Sequence, residues 1–199
     1  MTKGLGTHTL QSGMVYLNSL LRASLLYACE AYVNLSEKEF RLLESTEENC
    51  LIKLLDSEIH CPRSILYLEV GHTPARFQIW KLMLNYLQYI LKEEKNTLIS
   101  KFFYAQYANP IRNDWVSSIK NVMIEIDLKF TFEEIETMKI QKYQNIVETQ
   151  IKMAAFRYLK KKIKSKGKEI NYGEQLVCQN YLLPNQVLTF SEQQLIFAY

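Results

Sequence analysis

Apolar residues recur at intervals of three and four along most of the chain, which is the spacing of one face of an α-helix. The clearest example follows Pro74, where the apolar positions are Phe77, Trp80, Leu84, Leu87 and Leu91. Alternating β-branched runs that end in Asn-Gly or Asp-Gly do not occur, so no sheet is expected. Only 6 glycines and 4 prolines interrupt the pattern. We therefore predict an all-α fold, an irregular bundle of about seven to nine helices.

Capping residues indicate where several of these helices begin. Ser36 with Glu39, and Thr131 with Glu134, have the spacing of a capping box, in which each residue bonds the other's backbone amide. Pro62 and Pro74 suit first turns of helices, while Gly71 suits a helix end. Together with the apolar spacing, these signals predict the following helices: 12–32, 36–56, one after Pro62, one from Pro74, 97–107, one capped by Asn113 or Asp114, one from Thr131, a long one from Lys139 or Gln141, 173–182, and one after Ser191.

One plausible linker, Gly167 to Tyr172, divides the chain. We expect a helical domain over residues 1–166 and a short helical segment over 167–199. The longest apolar stretches are far shorter than the roughly 20 residues needed to cross a bilayer. The first residues lack a signal-peptide pattern, so we expect an intracellular protein of the cytoplasm or nucleus.

The residues needed for several kinds of catalysis are not grouped in this sequence. The three aspartates, at 56, 114 and 127, are too dispersed for a two-metal site. The cysteines and histidines lack the spacing of zinc ligands. We therefore expect no enzyme activity, no cofactor and no bound metal. Adjacent acidic pairs do occur and are interpreted as solvated helix faces: Glu47-Glu48, Glu93-Glu94 and Glu133-Glu134.

Positive charge is concentrated near the end of the long predicted helix. The net charge of the chain is +3, yet one stretch without acidic residues carries seven basic ones: Arg157, Lys160, Lys161, Lys162, Lys164, Lys166 and Lys168. Cations are also favoured at a helix C-terminus by the helix dipole, so a purely structural role stays open. The functional alternative is sequence-neutral contact with nucleic-acid phosphates, with Tyr158 and Tyr172 near enough to stack on bases.

Both tryptophans lie on apolar helix faces. Trp80 shares its face with Leu84, and Trp115 shares its face with Ile119. A stacking platform for bases is one interpretation of such residues. Core packing is the interpretation that helical spacing favours.

Four motifs, in order, resemble the region that follows the polymerase core in the reverse transcriptases of non-LTR (LINE-like) retrotransposons. They are Leu25-Leu26-Tyr27-Ala28-Cys29-Glu30-Ala31-Tyr32, Tyr67-Leu68-Glu69-Val70-Gly71-His72-Thr73-Pro74-Ala75-Arg76, the Leu84 to Leu91 segment, and Asn113-Asp114-Trp115. The resemblance covers residues 10 to 199. Its motif positions are Glu30, Leu68, Glu69, Gly71, Pro74, Arg76, Asp114 and Trp115.

This resemblance implies a thumb or connector that supports template RNA or an RNA–DNA primer duplex beside the upstream polymerase core. It offers no catalytic residues here, because the polymerase aspartates of the parent RNA-directed DNA polymerase lie upstream. The family's zinc knuckle would follow residue 199. An alternative is a helical scaffold that docks on the polymerase core or associates with itself, and a large exposed apolar patch would favour it.

Overall fold

A computed structural model describes residues 10–31, 35–54, 63–111 and 113–165, and these residues form eight α-helices and no strand. The prediction of an all-α fold is confirmed. The helices are α1 (Leu10–Tyr16, extended by a π-helical segment Leu17–Arg22 and a final turn Ala23–Leu25), α2 (Glu37–Leu54), α3 (Arg63–Val70), α4 (Ala75–Lys92), α5 (Leu98–Ala108), α6 (Trp115–Glu125), α7 (Phe132–Thr137) and α8 (Ile140–Ser165). The proposed linker at 167–172 and the helices predicted after it lie outside the described residues.

Helix α4 is the centre of the bundle and contacts α2, α5, α6, α7 and α8. Its apolar face was the clearest in the sequence, and Phe77 and Leu84 are both buried. Helix α8 runs antiparallel to it. The Tyr143 hydroxyl near the start of α8 donates to the Leu84 carbonyl, at 3.2 Å, while the Tyr158 ring near its end lies 5.5 Å from the Phe77 ring. The last turns of α8 therefore lie beside the first turns of α4.

Both predicted capping boxes are present. The Ser36 amide donates to the Glu39 carboxylate at 2.6 Å, and the Glu39 amide donates back to the Ser36 hydroxyl at 3.3 Å. Thr131 and Glu134 make the same reciprocal pair at the start of α7. These bonds satisfy amides that a helix leaves without an internal partner. The predicted starts of α2 and α7 are confirmed.

Asp114, one of the two residues considered for the cap of α6, is the one that caps it. Its carboxylate accepts from the Ser117 amide at 2.6 Å, while Asn113 has a left-handed φ of 72°. The next residue, Trp115, donates its indole N–H to the Glu30 carbonyl at 2.9 Å. The start of α6 is thereby fixed to the turn that follows α1.

The prediction of one continuous helix from residue 12 to 32 is wrong. Helical structure breaks after Leu25, Ala28 has a left-handed φ of 54°, and a 3₁₀ turn spans Cys29–Ala31. The chain turns there because Cys29 is fully buried in the turn that packs on α4. Burial, with a smaller contribution from Glu30, raises the pKa of the Cys29 thiol to about 11, so the thiol is neutral at physiological pH.

Gly71 and Pro74 shape the connection between α3 and α4 as the sequence predicted. Gly71 has a φ of 64°, a conformation that residues with a Cβ atom adopt at a cost. The amide of His72 donates to the Tyr67 carbonyl at 2.9 Å and closes the end of α3. Pro74 then directly precedes the first residue of α4.

Two substitutions at left-handed positions should change stability in opposite directions. Gly71→Ala adds a Cβ atom where φ is positive and should lower the free energy of unfolding by about 1 kcal/mol. Ala28→Gly removes the same kind of strain at an exposed residue and should raise the free energy of unfolding by up to about 1 kcal/mol. Urea unfolding followed by circular dichroism measures both. Changes of the same sign would contradict the two backbone conformations.

Candidate nucleic-acid interface

Helix α2 carries a row of carboxylates on the side that faces the bundle. Glu44, Glu47 and Glu48 are buried, and Glu37 lies at the more exposed start of the same helix. Residues spaced by three, four and seven share one face of a helix, so the four carboxylates are neighbours. The interpretation of Glu47-Glu48 as a solvated pair is wrong. These carboxylates are buried because basic side chains from distant segments reach them.

Glu47 is the most deeply buried of these acids. The Arg22 guanidinium contacts it at 2.7 Å and also donates to the Thr73 carbonyl. The Tyr67 hydroxyl donates to the Glu47 carboxylate at 3.3 Å, and the His72 Nε2 atom lies 4.0 Å from it. Burial raises the pKa of Glu47, although Arg22 opposes the shift. Burial, together with Arg22, holds the pKa of His72 well below its usual range, so this histidine is neutral.

Arg76, a motif position, joins two carboxylates of the row. Its Nε atom donates to Glu44, and its two terminal nitrogens donate to Glu37 at 3.0 and 2.9 Å. The guanidinium also lies 4.5 Å from the centroid of the Tyr158 ring. Burial by itself would lower the pKa of Arg76, but the hydrogen bonds to Glu37 and Glu44 outweigh it and raise this pKa. The arginine is therefore a fixed positive charge inside the bundle.

Lys162, on the last turns of α8, also faces this row. Its Nζ atom lies 3.5 Å from a Glu44 oxygen and 4.4 Å from the centroid of the Tyr158 ring. The Tyr158 hydroxyl donates to the same Glu44 oxygen at 3.4 Å. Two residues that the sequence placed in a nucleic-acid interface, Lys162 and Tyr158, are thus held by contacts within the bundle.

Eight charged side chains form what we term the charge layer. Its acids are the four carboxylates of α2, and its cations come from α1, α3, α4 and α8. The cation from α3 is Arg63, which contacts Glu48 at 2.7 Å. The members are Glu37, Glu44, Glu47, Glu48, Arg22, Arg63, Arg76 and Lys162. The four acids and four cations balance in number, and the exposed Arg41 also contacts Glu37 at 3.6 Å. Within this layer the charge of Lys162 is paired with that of Glu44.

The opposite side of the α8 terminus carries what we term the cationic ridge, Arg157, Lys160 and Lys161. These residues have the i, i+3, i+4 spacing that places side chains on one helix face. Arg157 and Lys161 are exposed, and Lys160 is half-buried with its Nζ atom 5.9 Å from the Phe156 ring. The one acid of α8 is Glu148, more than two turns earlier. Glu148 lies nine residues before Arg157, about 13 Å along the helix, which is too far for a direct contact with that residue.

Glu148 is itself already paired. It contacts Lys81 of α4 at 3.0 Å and Lys152 of α8 at 2.9 Å. Lys164 lies further along α8, whereas Lys166 and Lys168 fall outside the described residues, as does Tyr172. Of the seven basic residues predicted as a nucleic-acid interface, the structure therefore brings three together on the ridge and places Lys162 in the charge layer.

The remaining motif positions belong to turns and packing contacts. Leu68 is buried in α3, the helix to which Glu69 also belongs. Trp115 is partly buried and donates its indole N–H to the Glu30 carbonyl. Trp80 is partly buried too, with its ring 5.0 Å from that of Phe77 in an edge-on arrangement. Packing accounts for both tryptophans, as their helical spacing predicted.

An open cleft of about 310 Å³ lies beside Arg76, between α2, α4 and α6. The rings of Phe40 and Trp80 meet in it at 89°. Its charged lining includes Arg76 and Glu37, which already bind each other. Ser118, Asn121 and Glu125 also line the cleft, so its surface is mixed in polarity. None of the three ridge residues lines it.

Neither a metal site nor a membrane span emerges from the geometry. Within the described ranges, no three His, Cys, Asp or Glu side chains are grouped so that they could hold a metal ion. In the same part of the chain, none of the helices combines the length and apolar character that crossing a bilayer requires.

His72 should make the protein less stable in weak acid. A histidine with a depressed pKa in the folded state is protonated first in the unfolded state, so stability falls as the pH drops below about 6.5. Glu47 acts in the opposite sense, because its raised pKa destabilises the folded state above about pH 4.5, and this cost falls as the pH drops. The comparison must therefore isolate His72. Unfolding free energies of the unsubstituted protein and of His72→Gln, measured between about pH 7.5 and 5, provide it.

The difference between the two curves should change by up to about 1.4 kcal/mol per pH unit below pH 6.5. All other titrating groups are common to both proteins, which removes their contribution to first order. Parallel curves over this interval would show that His72 can be protonated in the folded state as readily as in the unfolded one.

Comparisons with the profiles of known protein families, with curated protein sequences and with solved structures find no match. The resemblance to non-LTR reverse transcriptases therefore rests on the sequence motifs and their order alone. Inference about function must start from the geometry of the charge layer and the cationic ridge.

Proposed function

We propose that the chain is a non-catalytic helical module that contacts the sugar–phosphate backbone of RNA or an RNA–DNA duplex through the cationic ridge. The observation that carries this proposal is the division of charge at the end of α8. Lys162 faces inward and is neutralised, whereas Arg157, Lys160 and Lys161 lie on the other side of the helix. Three basic side chains on one face suit an extended polyanion.

The ridge is positioned by a rigid element. Helix α8 is anchored along the bundle by the buried Tyr143 and Leu159, and its last turns are held by the contacts of Lys162 and Tyr158 with Glu44. A preorganised helix loses less conformational entropy on binding than a flexible basic tail does. The contacts of Lys162 and Tyr158 with Glu44 thereby keep the ridge side of α8 facing solvent.

Binding of this kind should be insensitive to base sequence. Lysine acts on phosphate as a point charge, and base recognition usually requires bidentate groups placed in a groove. Arg157 is the one arginine of the ridge. Each phosphate contact should contribute about 0.7 to 0.9 to the slope of log K against log salt concentration. Three contacts correspond to a slope of about −2 to −3.

The resemblance to non-LTR retrotransposon reverse transcriptases supports the same proposal from the sequence. A thumb or connector holds the template or primer duplex and leaves phosphoryl transfer to another part of the polymerase. We infer that the chain is such a region of an RNA-directed DNA polymerase, with the polymerase core as a further partner. The structural roles of Gly71, Pro74 and Arg76 are compatible with motifs that preserve a fold.

Salt dependence of binding tests the proposal. Removing two ridge charges with Arg157→Gln and Lys161→Gln should weaken binding to an RNA–DNA duplex and reduce the magnitude of the salt slope by about 1.4 to 1.8. Fluorescence anisotropy at several salt concentrations measures both quantities. Both side chains are exposed, so the double variant should keep its fold.

The matched control removes two exposed lysines at the start of α8, with Lys139→Gln and Lys142→Gln. Lys142 lies 15 residues before Arg157 on α8, which is about 22 Å along the helix. The control has the same net charge as the ridge variant and should nearly keep the original slope. Equal losses in the two variants would indicate attraction to overall charge and would refute the ridge as a site.

A further inference from the structure

Helix α5 is apolar on the side that faces away from the bundle. Its sequence, Leu-Ile-Ser-Lys-Phe-Phe-Tyr-Ala-Gln-Tyr-Ala, contains one charged residue, Lys101. Phe103 and Ser100 are buried and mark the inner side. A surface helix normally carries polar residues on its outer side, so an apolar outer side indicates burial against something else.

The outer side of α5 is a continuous stripe. Leu98, Phe102 and Ala105 recur at intervals of four and three, and the exposed fractions of Leu98 and Phe102 are 70% and 63%. Ile99, 40% exposed, widens the stripe on one side. Its residues point roughly opposite to Phe103, which joins α5 to the core. No described segment of this chain covers these side chains.

We propose that the outer stripe of α5 is a dimer interface, on which a second copy of this chain packs with its own α5 antiparallel. The proposal is independent of the nucleic-acid proposal, because the stripe and the cationic ridge lie on different helices and use different residues. The proposal assigns a partner to the outer stripe of α5, which contains no residue of the charge layer or of the cationic ridge.

The stripe is self-complementary in shape. In an antiparallel pair centred between residues 103 and 104, Phe102 of each copy faces Ala105 of the other. A large ring opposite a methyl group allows the helices to approach closely, as ridges and grooves do in packed helix pairs. Because the two copies are related by a two-fold axis, the contact between Phe102 and Ala105 forms twice in the dimer.

The helix dipoles favour the antiparallel orientation, because the positive end of each helix then lies beside the negative end of the other. Lys101, the single charged side chain of α5, is exposed at the border of the stripe, so packing on the stripe does not require burial of its ammonium group.

The area available suits a weak but specific dimer. With about 200 Å² for a large apolar side chain, the exposed parts of the stripe and its borders amount to on the order of 500 Å² per copy. The total of about 1,000 Å² is the size at which specific interfaces begin. Association in the micromolar range is therefore expected, with a monomer predominating at high dilution.

Sedimentation equilibrium of the full chain over a range of concentrations tests this proposal. The unsubstituted protein should show a monomer–dimer equilibrium, and Phe102→Asp should weaken association by about ten-fold or more. Ala105→Glu should do the same by blocking the close approach, and glutamate is a good helix former. Circular dichroism should show unchanged helix content in both variants, because both residues are exposed.

Leu42→Asp is the matched control. Leu42 is 69% exposed on α2, comparable to Phe102, so the control introduces the same charge at an equally exposed apolar residue. It should leave the dimer unaffected. A monomer at every concentration would overturn the proposal and leave the stripe to another protein, such as a polymerase core. Equal weakening by Phe102→Asp and Leu42→Asp would overturn it too, because the effect would then reflect general surface charge.

Discussion

The structure depends on the pairing of four carboxylates, all on helix α2, with positively charged side chains inside the bundle. Burying an unpaired charge costs several kcal/mol, so the acids of α2 can face inward only where cations meet them. Those cations come from four separate parts of the chain, and each must arrive in register. A well-packed apolar set could give similar stability. We infer that the charges mainly specify which segments meet α2.

Helices, capping boxes and the left-handed glycine could be predicted because each depends on residues close in sequence. The four carboxylates could be recognised as sharing a face of α2, but their burial depends on arginines 15 to 39 residues away along the chain. The break after Leu25 was missed for a related reason. Ala28 carries no turn signal, and the turn is fixed by the burial of Cys29 and the contact between Trp115 and Glu30.

The candidate site was predicted only in part, because one basic stretch serves two purposes. Helical periodicity turns Lys162 towards Glu44 and the neighbouring cations away from it, whereas the linear sequence shows only a run of like charges. Tyr158 supports the inward contacts instead of being free to stack on bases. The same turns of α8 thus bind the bundle on one side and present positive charge on the other, which connects the charge layer to the proposed function.

A double-mutant cycle between Glu44 and Arg76 tests the role of the charge layer most directly. Glu44→Gln, Arg76→Met and the double variant would be compared with the unsubstituted protein by urea unfolding. If the layer holds α2 against α4, the losses of unfolding free energy in the two single variants should add up to more than the loss in the double variant. The difference, which is the coupling free energy, should be about 2 kcal/mol. Losses that add to within about 0.5 kcal/mol would contradict the account, because the two side chains would then contribute independently of their contact.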